Sequence, residues 1–259
     1  MTFYDERGLP TTETIQCLQN RVSVRSYTDR PVDDAHVEAI LRAAFRAPTS
    51  SNIQSYSVVI VRDKDTLAKL APVTGNQKHV ANAPVFLAFC ADMTRIEHAM
   101  VTNNASVDNN NFEMGLVTSV DAALVGMSAS LAAESLGIMG VMIGAIRNNA
   151  AETAKILGLP NRVYALFGMV LGWPKDVPPQ KPRMPYEGMV HLEKFGNHPG
   201  GVTMEQSLAE YDRQLADHYR SQGRQTNDDS WTAELVAKFA VQPRPKLRDE
   251  VASQGFDFR

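Results

Sequence analysis

The sequence predicts an α+β domain that ends in a C-terminal helical extension. Helical periods alternate along the chain with short apolar, β-branched runs, which are typical of buried strands. One long segment is apolar or small nearly all round, as expected for a helix buried in a core. No repeat, low-complexity tract or clear linker divides the chain. A single domain over residues 1–259 is therefore expected, with a core over about residues 12–200 and the extension over about residues 201–259.

Composition and charge exclude several classes of protein. Of the 259 residues, 44% are hydrophobic and 21% are charged, and the formal net charge is −3. This composition supports a substantial core and excludes disorder as the main state. A pI near 6.1 gives no electrostatic footprint for binding nucleic acid. Two cysteines cannot form a disulfide framework, and the N-terminus has no apolar run typical of a signal peptide, so a cytoplasmic protein is expected.

The N-terminal half is predicted to alternate between helices and strands. The second helix would place Val37, Ile40, Leu41 and Ala44 on one face, because these positions recur at helical spacing. Asn103–Asn111 holds five asparagines and is predicted to be a surface loop. The predicted elements are a helix over Thr12–Gln19, a helix from Asp33 or Asp34 to Arg46, and strands over Ser57–Val61 and Val85–Cys90.

The middle of the chain holds the most apolar segment. Gly115–Ser135 is predicted to be a helix that is buried on most sides, and its small residues would let another backbone approach closely. Gly137 ends this helix. Asp121 and Glu134 interrupt the apolar region, so no membrane span is expected. The elements predicted to follow are strands over Gly140–Ile146 and Tyr164–Leu171, with a helix over Ala151–Leu157 between them.

The C-terminal part begins with an extended segment. Trp173–Pro185 contains five prolines, which prevent regular secondary structure. A capping box at Thr203–Gln206 predicts the start of a helix. Residues 222–229 are polar and are predicted to form a mobile loop. The predicted helices run from the capping box to about Ser221, from Ser230 onward, and from beyond Pro245.

An alternating segment near the N-terminus is the first candidate for binding a ligand. In an extended chain Arg21, Ser23 and Arg25 would point to one side, and Val22 and Val24 to the other. Two guanidinium groups beside a hydroxyl suit an elongated anion with a phosphate at one end. An edge strand with solvated arginines explains the spacing equally simply, and spacing alone favours that interpretation.

Three further segments are candidates of lower specificity. Pro48–Gln54 is rich in hydroxyl and amide groups that suit a ligand's polar edge, or that simply bond their own backbone in a turn. Gly137–Ala145 has glycines but lacks the spacing of a dinucleotide fingerprint. Lys181 and Arg183 could clamp a phosphate or belong to a solvated basic loop.

Motifs for metal binding or nucleophilic catalysis are missing from the sequence. The six histidines show no H-x-x-x-H or H-E-x-x-H spacing, and no G-x-S-x-G elbow is present. Neither cysteine lies in a basic or C-x-x-C context. Several phosphate-type clamps without a nucleophile, metal site or P-loop suggest a cofactor that carries the chemistry.

Taken together, these segments resemble the nitroreductase superfamily. Within it the chain is similar to the oxygen-insensitive NADPH nitroreductase / NADPH:FMN oxidoreductase group (flavin reductase P-like, group A). The resemblance covers nearly the whole chain from about residue 12. The matching segments are Arg21-x-Ser23-x-Arg25-x-Tyr27 with Pro31-Val32, Ala47–Gln54, Gly75–Val80, Phe89–Asp92, Ala132–Gly137, Ile143–Asn149, Leu166–Pro174, Lys181–Arg183, Tyr211-Asp212, Ser230-Trp231 and Arg244-Pro245.

The resemblance implies a fold, a cofactor and a set of site residues. The expected fold is an FMN-binding sandwich with a central, mostly antiparallel sheet between helices, in an intertwined homodimer. No side chain is expected to be catalytic, since FMN N5 carries the chemistry, and no metal is expected. The residues expected to bind FMN are Arg21, Ser23, Arg25, Thr49, Ser50, Ser51, Gln77, Ile143, Gly144, Ala145, Lys181 and Arg183. Those expected to meet the substrate or NAD(P)H are Arg25, Asn52, Arg220, Arg224 and Arg244.

The function implied by the resemblance is FMN-dependent NAD(P)H oxidoreduction. A hydride from NAD(P)H would pass through FMN N5 to a nitroaromatic, a quinone or a free flavin, in a two-electron ping-pong cycle. The chain departs from the family pattern at Val22, where some relatives carry a second arginine, and at Ala145, where a glycine is common. The alternatives are a flavin carrier or sensor without turnover, and a flavin enzyme of different chemistry, such as reductive dehalogenation or flavin destruction.

The preferred dinucleotide is a separate question. NADPH-specific relatives place arginines in the loop before the Ser230-Trp231 motif. Here the matching positions are Gln222 and Asn227, and Asp228 and Asp229 follow. The sequence therefore predicts a weak preference for NADPH over NADH, with Arg220 and Arg224 as possible substitutes for the missing arginines.

Overall fold

The computed structural model describes residues 3–106, 112–224 and 230–256. Its contacts group the chain into two compact units. The first unit comprises Met1–Pro178 with Arg244–Arg259, and the second comprises Pro179–Pro243. The single domain with an extension from about residue 201 stays a prediction.

The first unit is built on a four-stranded antiparallel sheet. The strands of the first unit are β1 (Phe3–Tyr4), β2 (Pro10–Thr11), β3 (Tyr56–Val61), β4 (Val85–Asp92), β5 (Met139–Ile143) and β6 (Val163–Gly172). The central sheet has the strand order β3-β4-β6-β5, and every neighbouring pair is antiparallel. β1 and β2 form a separate antiparallel pair. The central antiparallel sheet predicted from the sequence is confirmed.

Helices surround this sheet and also make up the second unit. The helices are α1 (Glu13–Gln19), α2 (Asp34–Ala44), α3 (Lys64–Val73), α4 (Lys78–Ala81), α5 (Thr94–Thr102), α6 (Phe112–Ser135), α7 (Ala150–Leu157), α8 (Tyr186–Met189), α9 (Met204–Ser221), α10 (Trp231–Phe239) and α11 (Leu247–Ala252). Short 3₁₀ segments cover Ser50–Asn52, Gly144–Asn149 and Pro199–Gly201. The capping box at Thr203 and Gln206 is confirmed, with both reciprocal hydrogen bonds present.

Three apolar clusters are described in the first unit, and the two larger ones join helices to the central sheet. In one, α2 and α6 contribute residues such as Ile40, Val125 and Ala129, which pack with Leu87 and Phe89 of β4. The other joins α3 and β5 to the sheet through residues that include Leu67, Leu70, Phe86, Val141 and Val170. All four residues predicted for the buried face of α2 are buried, which confirms the helical spacing.

Helix α6 is buried on one side and exposes an apolar stripe on the other. Gly126 lies so close to β6 that a Cβ atom there would be 2.4 Å from the Phe167 ring. The opposite side exposes Leu116, Val120, Leu124 and Met127. α6 is long and apolar enough to cross a membrane. Buried core helices of other proteins have the same length and hydropathy, and half of the most apolar window of α6 is buried within the protein. The expectation that this helix is buried on most sides is not met by a single copy of the chain.

Several predicted boundaries differ from the structure. α2 ends at Ala44, two residues before the predicted Arg46. The strand predicted over Gly140–Ile146 stops at Ile143, because the backbone turns at Gly144 into a 3₁₀ segment that leads to α7. Residues 107–111 and 225–229 lie outside the described residues, as do parts of the two loops predicted there.

Three helices of the first unit were not predicted, namely α3, the short α4 and α5. α3 follows Asp63, whose side chain accepts a hydrogen bond from the amide of Thr66 and caps the helix. An aspartate just after a strand is equally typical of a turn, so Asp63 alone does not mark the start of a helix. α5 begins two residues after β4 and has no buried residue, and its Ile96 packs against the core from a partly exposed position.

Candidate active site

The Arg21–Arg25 segment runs along the edge of the sheet beside β5. The Val24 amide donates a hydrogen bond to the carbonyl of Gly140 at 3.0 Å. Val22 and Val24 are buried while Arg25 is exposed, so the predicted alternation is confirmed. The segment therefore holds Arg21, Ser23 and Arg25 on its polar side.

Arg21 lies near a half-buried carboxylate on α6. Burial raises the pKa of Glu134, and a hydrogen bond from the Ser130 hydroxyl at 3.2 Å and the positive charge of Arg21 partly offset that effect. Glu134 entered the sequence interpretation only as an interruption of an apolar region. Its position shows that Arg21 has a negatively charged neighbour on the same unit.

Helix α4 carries His79 close to Arg25, and Gln77 is the residue that precedes this helix. The Gln77 side-chain amide donates to the Thr74 carbonyl at 2.7 Å, which fixes the orientation of that side chain. Burial and then the charge of Arg25 lower the pKa of His79, so this imidazole is neutral at neutral pH. The Nε2 atom of His79 is buried and has no hydrogen-bond partner among the residues that the structure describes.

The chain turns sharply after β5, and we call the surface at this turn, around Gly144, Asn148 and Arg244, the corner of the first unit. The Arg244 Nε donates to the Asn148 side chain at 3.0 Å, and its Nη2 lies 3.4 Å from the Gly144 carbonyl oxygen. A Cβ atom at Gly75 would lie 3.9 Å from the Asn148 amide nitrogen, which places the segment before α4 beside the same corner. Gly144, Arg244 and the Gln77 segment are therefore brought together.

Arg147 lies close to this corner, and the sequence did not single it out as a site residue. It donates a hydrogen bond to the carbonyl of Leu166 in β6. Burial and then the charge of Arg244 lower the pKa of Arg147. The sequence signal was weak, since Arg147 appeared only as one letter of a matching segment. Ile143 is 1% exposed and packs in the core, so its backbone rather than its side chain can face a ligand.

The Thr49–Ser55 loop is anchored by a buried carboxylate. Asp121 of α6 is fully buried and accepts hydrogen bonds from the Ser50 amide at 2.9 Å, the Ser55 amide at 3.2 Å and the Ser55 hydroxyl at 3.1 Å. Ser51, Asn52 and Gln54 have positive φ angles, which are strained for residues other than glycine. Asp121 thus fixes the conformation that presents the candidate residues of this loop.

Sequence reasoning used Asp121 only as an argument against a membrane span. The signal that could have revealed its role was a single carboxylate in the middle of an otherwise apolar helix. Such a group is stable when buried only if several donors satisfy it. The loop partner could not be identified from the sequence, because Ser50 and Ser55 lie 71 and 66 residues away.

The remaining candidate cations lie in the second unit. The Lys181 ammonium donates to the Tyr219 hydroxyl at 2.7 Å. Arg183 is exposed, and its guanidinium donates to the carbonyls of Lys181 and Pro182 at 3.2 and 3.1 Å. Arg220 forms an ion pair with Asp217 on α9. Arg224 lies over the Tyr219 ring, with its guanidinium carbon 4.3 Å from the ring centroid.

The corner of the first unit fits a flat, anionic ligand such as FMN. A Cβ atom added at Gly144 would meet only the Arg147 guanidinium, at 3.7 Å, whereas one at Gly140 would be 2.2 Å from the Val170 carbonyl oxygen. Gly144 therefore borders open space rather than packed chain. The guanidinium groups of Arg147 and Arg244 and the side-chain amide of Asn148 lie beside that space and can act as donors. No cluster of three or more His, Cys, Asp or Glu side chains suited to a metal occurs among the described residues.

The fold is that of an α+β protein with a central antiparallel sheet, and its corner at Gly144 combines cations with open space. The family model described as "Nitroreductase family" matches residues 18–173, and "Nitroreductase family, C-terminal domain" matches residues 181–259. The chain therefore belongs to the nitroreductase family.

Individual relatives resemble the chain over nearly its full length. It is 40% identical to the oxygen-insensitive NADPH nitroreductase of Salmonella typhimurium, over 95% of this chain and 99% of that protein. It is 35% identical to the FMN reductase [NAD(P)H] of Bacillus subtilis, over 94% and 98%. Among solved structures, NfrA2 of B. megaterium matches with a TM-score of 0.91 and 34% identity, over 96% of this chain and 100% of that one.

Proposed function

We propose that the chain is an FMN-dependent NAD(P)H oxidoreductase that reduces nitroaromatics, quinones or free flavins. The observation that carries the proposal is the corner of the first unit where Arg244 contacts Asn148 and the Gly144 carbonyl, and where Gly144 borders open space. Relatives at 35–40% identity are named NADPH nitroreductase and FMN reductase, which supports the same cofactor and reductant here.

FMN supplies the redox chemistry when bound, taking a hydride from NAD(P)H and giving two electrons to the acceptor. The chain's own residues bind FMN and orient it. Arg21, Ser23 and Arg25 offer charge-assisted bonds to a phosphate and a polar chain. Thr49, Ser50, Ser51 and Gln77 offer hydroxyls and amides to the polar edge of the ring. Gly144 and Ala145 offer backbone with no bulky side chain in the way.

Lys181 and Arg183 are proposed as further cations toward FMN, because they match a basic segment of the family. With Arg21 and Arg25, these two cations would bind the FMN phosphate and ribityl chain. Asn52 and Arg244 are proposed to meet the acceptor or nicotinamide. Arg244 is partly buried and hydrogen-bonded to Asn148, so its guanidinium is held in place.

We also infer a homodimer. The exposed stripe of α6 consists of Leu116, Val120, Leu124 and Met127, with side chains between 38% and 53% exposed. Contiguous apolar stripes of this kind mark protein interfaces. A second copy of the chain is the occupant that the family's assembly implies. Cytoplasmic location is part of the same proposal and follows from the cysteine usage noted above.

We propose that this chain binds the 2′-phosphate of NADPH weakly, because its candidate arginines are engaged by other groups. Arg220 is engaged by Asp217, and Arg224 lies over Tyr219. Each would have to leave its partner to bind a phosphate. Asn227, Asp228 and Asp229 lie outside the described residues. Use of NADH alongside NADPH is therefore proposed.

Removing the two basic side chains of the second unit tests the cofactor assignment. Lys181→Ala with Arg183→Ala should lose most of its bound FMN while the circular dichroism spectrum stays that of the parent. The matched control replaces two other basic residues of the same unit, Lys194 and Arg213, by alanine and should keep its flavin. Full FMN occupancy in the first double variant would contradict the role given to Lys181 and Arg183.

Turnover separates this proposal from a flavin carrier or sensor. The purified protein should oxidise NAD(P)H when menadione or a nitroaromatic is added. A carrier would hold flavin without oxidising NAD(P)H. Flavin retained through many turnovers would in addition exclude flavin destruction.

A further inference from the structure

The hydroxyl of Tyr219 lies between a cation and a carboxylate. It accepts a hydrogen bond from the Lys181 ammonium at 2.7 Å and donates one to Glu234 Oε1 at 2.7 Å. The directions follow from chemistry, since an ammonium only donates and a carboxylate only accepts. The other carboxylate oxygen of Glu234 accepts from Lys238 at 2.9 Å. Tyr219 is therefore the link between Lys181 and Glu234.

Packing holds the Tyr219 ring in one place. The residue is 3% exposed, although it belongs to a largely solvated helix, α9. The Arg224 guanidinium lies over its ring at 4.3 Å from the centroid, and the Lys181 ammonium lies 4.7 Å from the same centroid. Hydrogen bonds from Tyr219 and Lys238 lower the pKa of Glu234, so this carboxylate stays ionised at neutral pH and continues to accept.

We propose that Tyr219 is a positioning residue that holds the Lys181 ammonium for the flavin cofactor and keeps it apart from Glu234. This inference rests on the proposed function, in which Lys181 binds FMN. A lysine ammonium has three donors, and the bond to Tyr219 uses one of them. The other two N–H groups can donate hydrogen bonds to an anionic or carbonyl acceptor.

Two physical effects give the hydroxyl this role. A free lysine side chain has several rotatable bonds, and ordering them when a ligand binds lowers the affinity. The hydrogen bond to Tyr219 already orders the Lys181 side chain in the folded protein, so less affinity is lost on binding. Without the hydroxyl, Lys181 and Glu234 could also pair directly. A direct pair would place a full negative charge beside the ammonium and weaken its attraction for FMN.

A double-mutant cycle on the holoenzyme tests the link to Lys181. The variants are Tyr219→Phe, Lys181→Ala and the two combined. FMN dissociation is followed as the flavin fluorescence that appears on dilution of purified protein. We expect Kd to rise about tenfold for Lys181→Ala, a loss of about 1.4 kcal/mol. We expect a rise of about fivefold for Tyr219→Phe, and we expect Tyr219→Phe to change Kd by less than about twofold when Lys181 is already alanine.

Control variants separate positioning from general destabilisation. Tyr186→Phe removes a hydroxyl from the same unit at a residue that is 67% exposed, and it should leave Kd unchanged. Thermal melting of each variant reports stability independently of the cofactor. If Tyr219→Phe does not fold, Glu234→Gln removes the charge at the other end of the link, and its effect on Kd should also vanish in the Lys181→Ala background.

The outcomes distinguish this inference from the proposed function. An unchanged Kd in Tyr219→Phe, or a Tyr219→Phe effect that persists in full without Lys181, would overturn the positioning role while FMN binding stands. An unchanged Kd in Lys181→Ala would also overturn it. A parent protein that binds no FMN would instead contradict the proposed function.

Discussion

Replacing Asp121 should destabilise the protein strongly and release the loop that carries Thr49, Ser50 and Ser51. Asp121 is fully buried on α6 and accepts three hydrogen bonds, from the amides of Ser50 and Ser55 and from the Ser55 hydroxyl. In Asp121→Ala all three donors lose their acceptor and a small cavity remains.

The magnitude follows from these contacts. A buried donor left without a partner costs about 1–3 kcal/mol. Removal of the carboxylate also removes the cost of burying a charge, which offsets part of the loss. The loop then relaxes and lets water reach some donors, so we expect a net loss of about 3–5 kcal/mol rather than the full sum. For a chain of this size that corresponds to a fall in Tm of about 10 °C.

Asp121→Asn should lose less, because the carboxamide keeps one acceptor oxygen. Its NH₂ group must face one of the three donors, so we expect a loss of about 1–3 kcal/mol. The control is Glu38→Ala on α2, which removes an exposed carboxylate paired with Arg42 at 2.7 Å. Such surface pairs contribute about 0–1 kcal/mol.

Urea unfolding followed by circular dichroism measures these differences. Asp121→Ala should fall well below the parent, Asp121→Asn should lie between them, and Glu38→Ala should match the parent. Hydrogen exchange of the amides of Ser50 and Ser55 should accelerate in the Asp121 variants. An Asp121→Ala protein within about 1 kcal/mol of the parent would refute the anchoring role.

The remaining predictions concern the assembly, the substrates and the thiols. If the proposed homodimer forms through the exposed stripe of α6, Leu124→Glu should dissociate it, and light scattering that still reports a dimer would contradict that interface. Arg244→Ala should raise KM for the acceptor or for NAD(P)H; values unchanged for every substrate would limit Arg244 to its bond with Asn148. The ratio of kcat/KM for NADPH over NADH should stay below about 100-fold, or about 2.7 kcal/mol, and a larger ratio would show that other cations bind the 2′-phosphate. Burial raises the pKa of Cys90 to about 12, so iodoacetamide at pH 8 should label the partly exposed Cys17 first, and equal labelling would mean that the sheet opens.

Elements with strong periodicity could be predicted from the sequence. The buried face of α2 was found because Val37, Ile40, Leu41 and Ala44 recur with the period of a helix. The capping box at Thr203 was found because its residue types are specific to helix starts. α5 is harder to find, because none of its residues is buried and its Ile96 packs against the core from a partly exposed position.

The site was only partly predictable, because its support comes from distant positions. The alternation of Arg21, Ser23 and Arg25 follows from strand geometry. The anchoring by Asp121 and the buried Arg147 depend on contacts between residues far apart in the sequence. No local pattern encodes such pairs. The roles of the candidate residues toward FMN stay predictions.

The visible absorbance spectrum of the purified protein, with acid release and identification of any bound flavin, tests the central claim most directly. The account predicts a yellow protein with about one FMN per chain, as expected for a single high-affinity site. Under anaerobic conditions, NAD(P)H should bleach the flavin band and a quinone should restore it. A colourless protein that does not take up added FMN, or a flavin that NAD(P)H cannot bleach, would contradict the account.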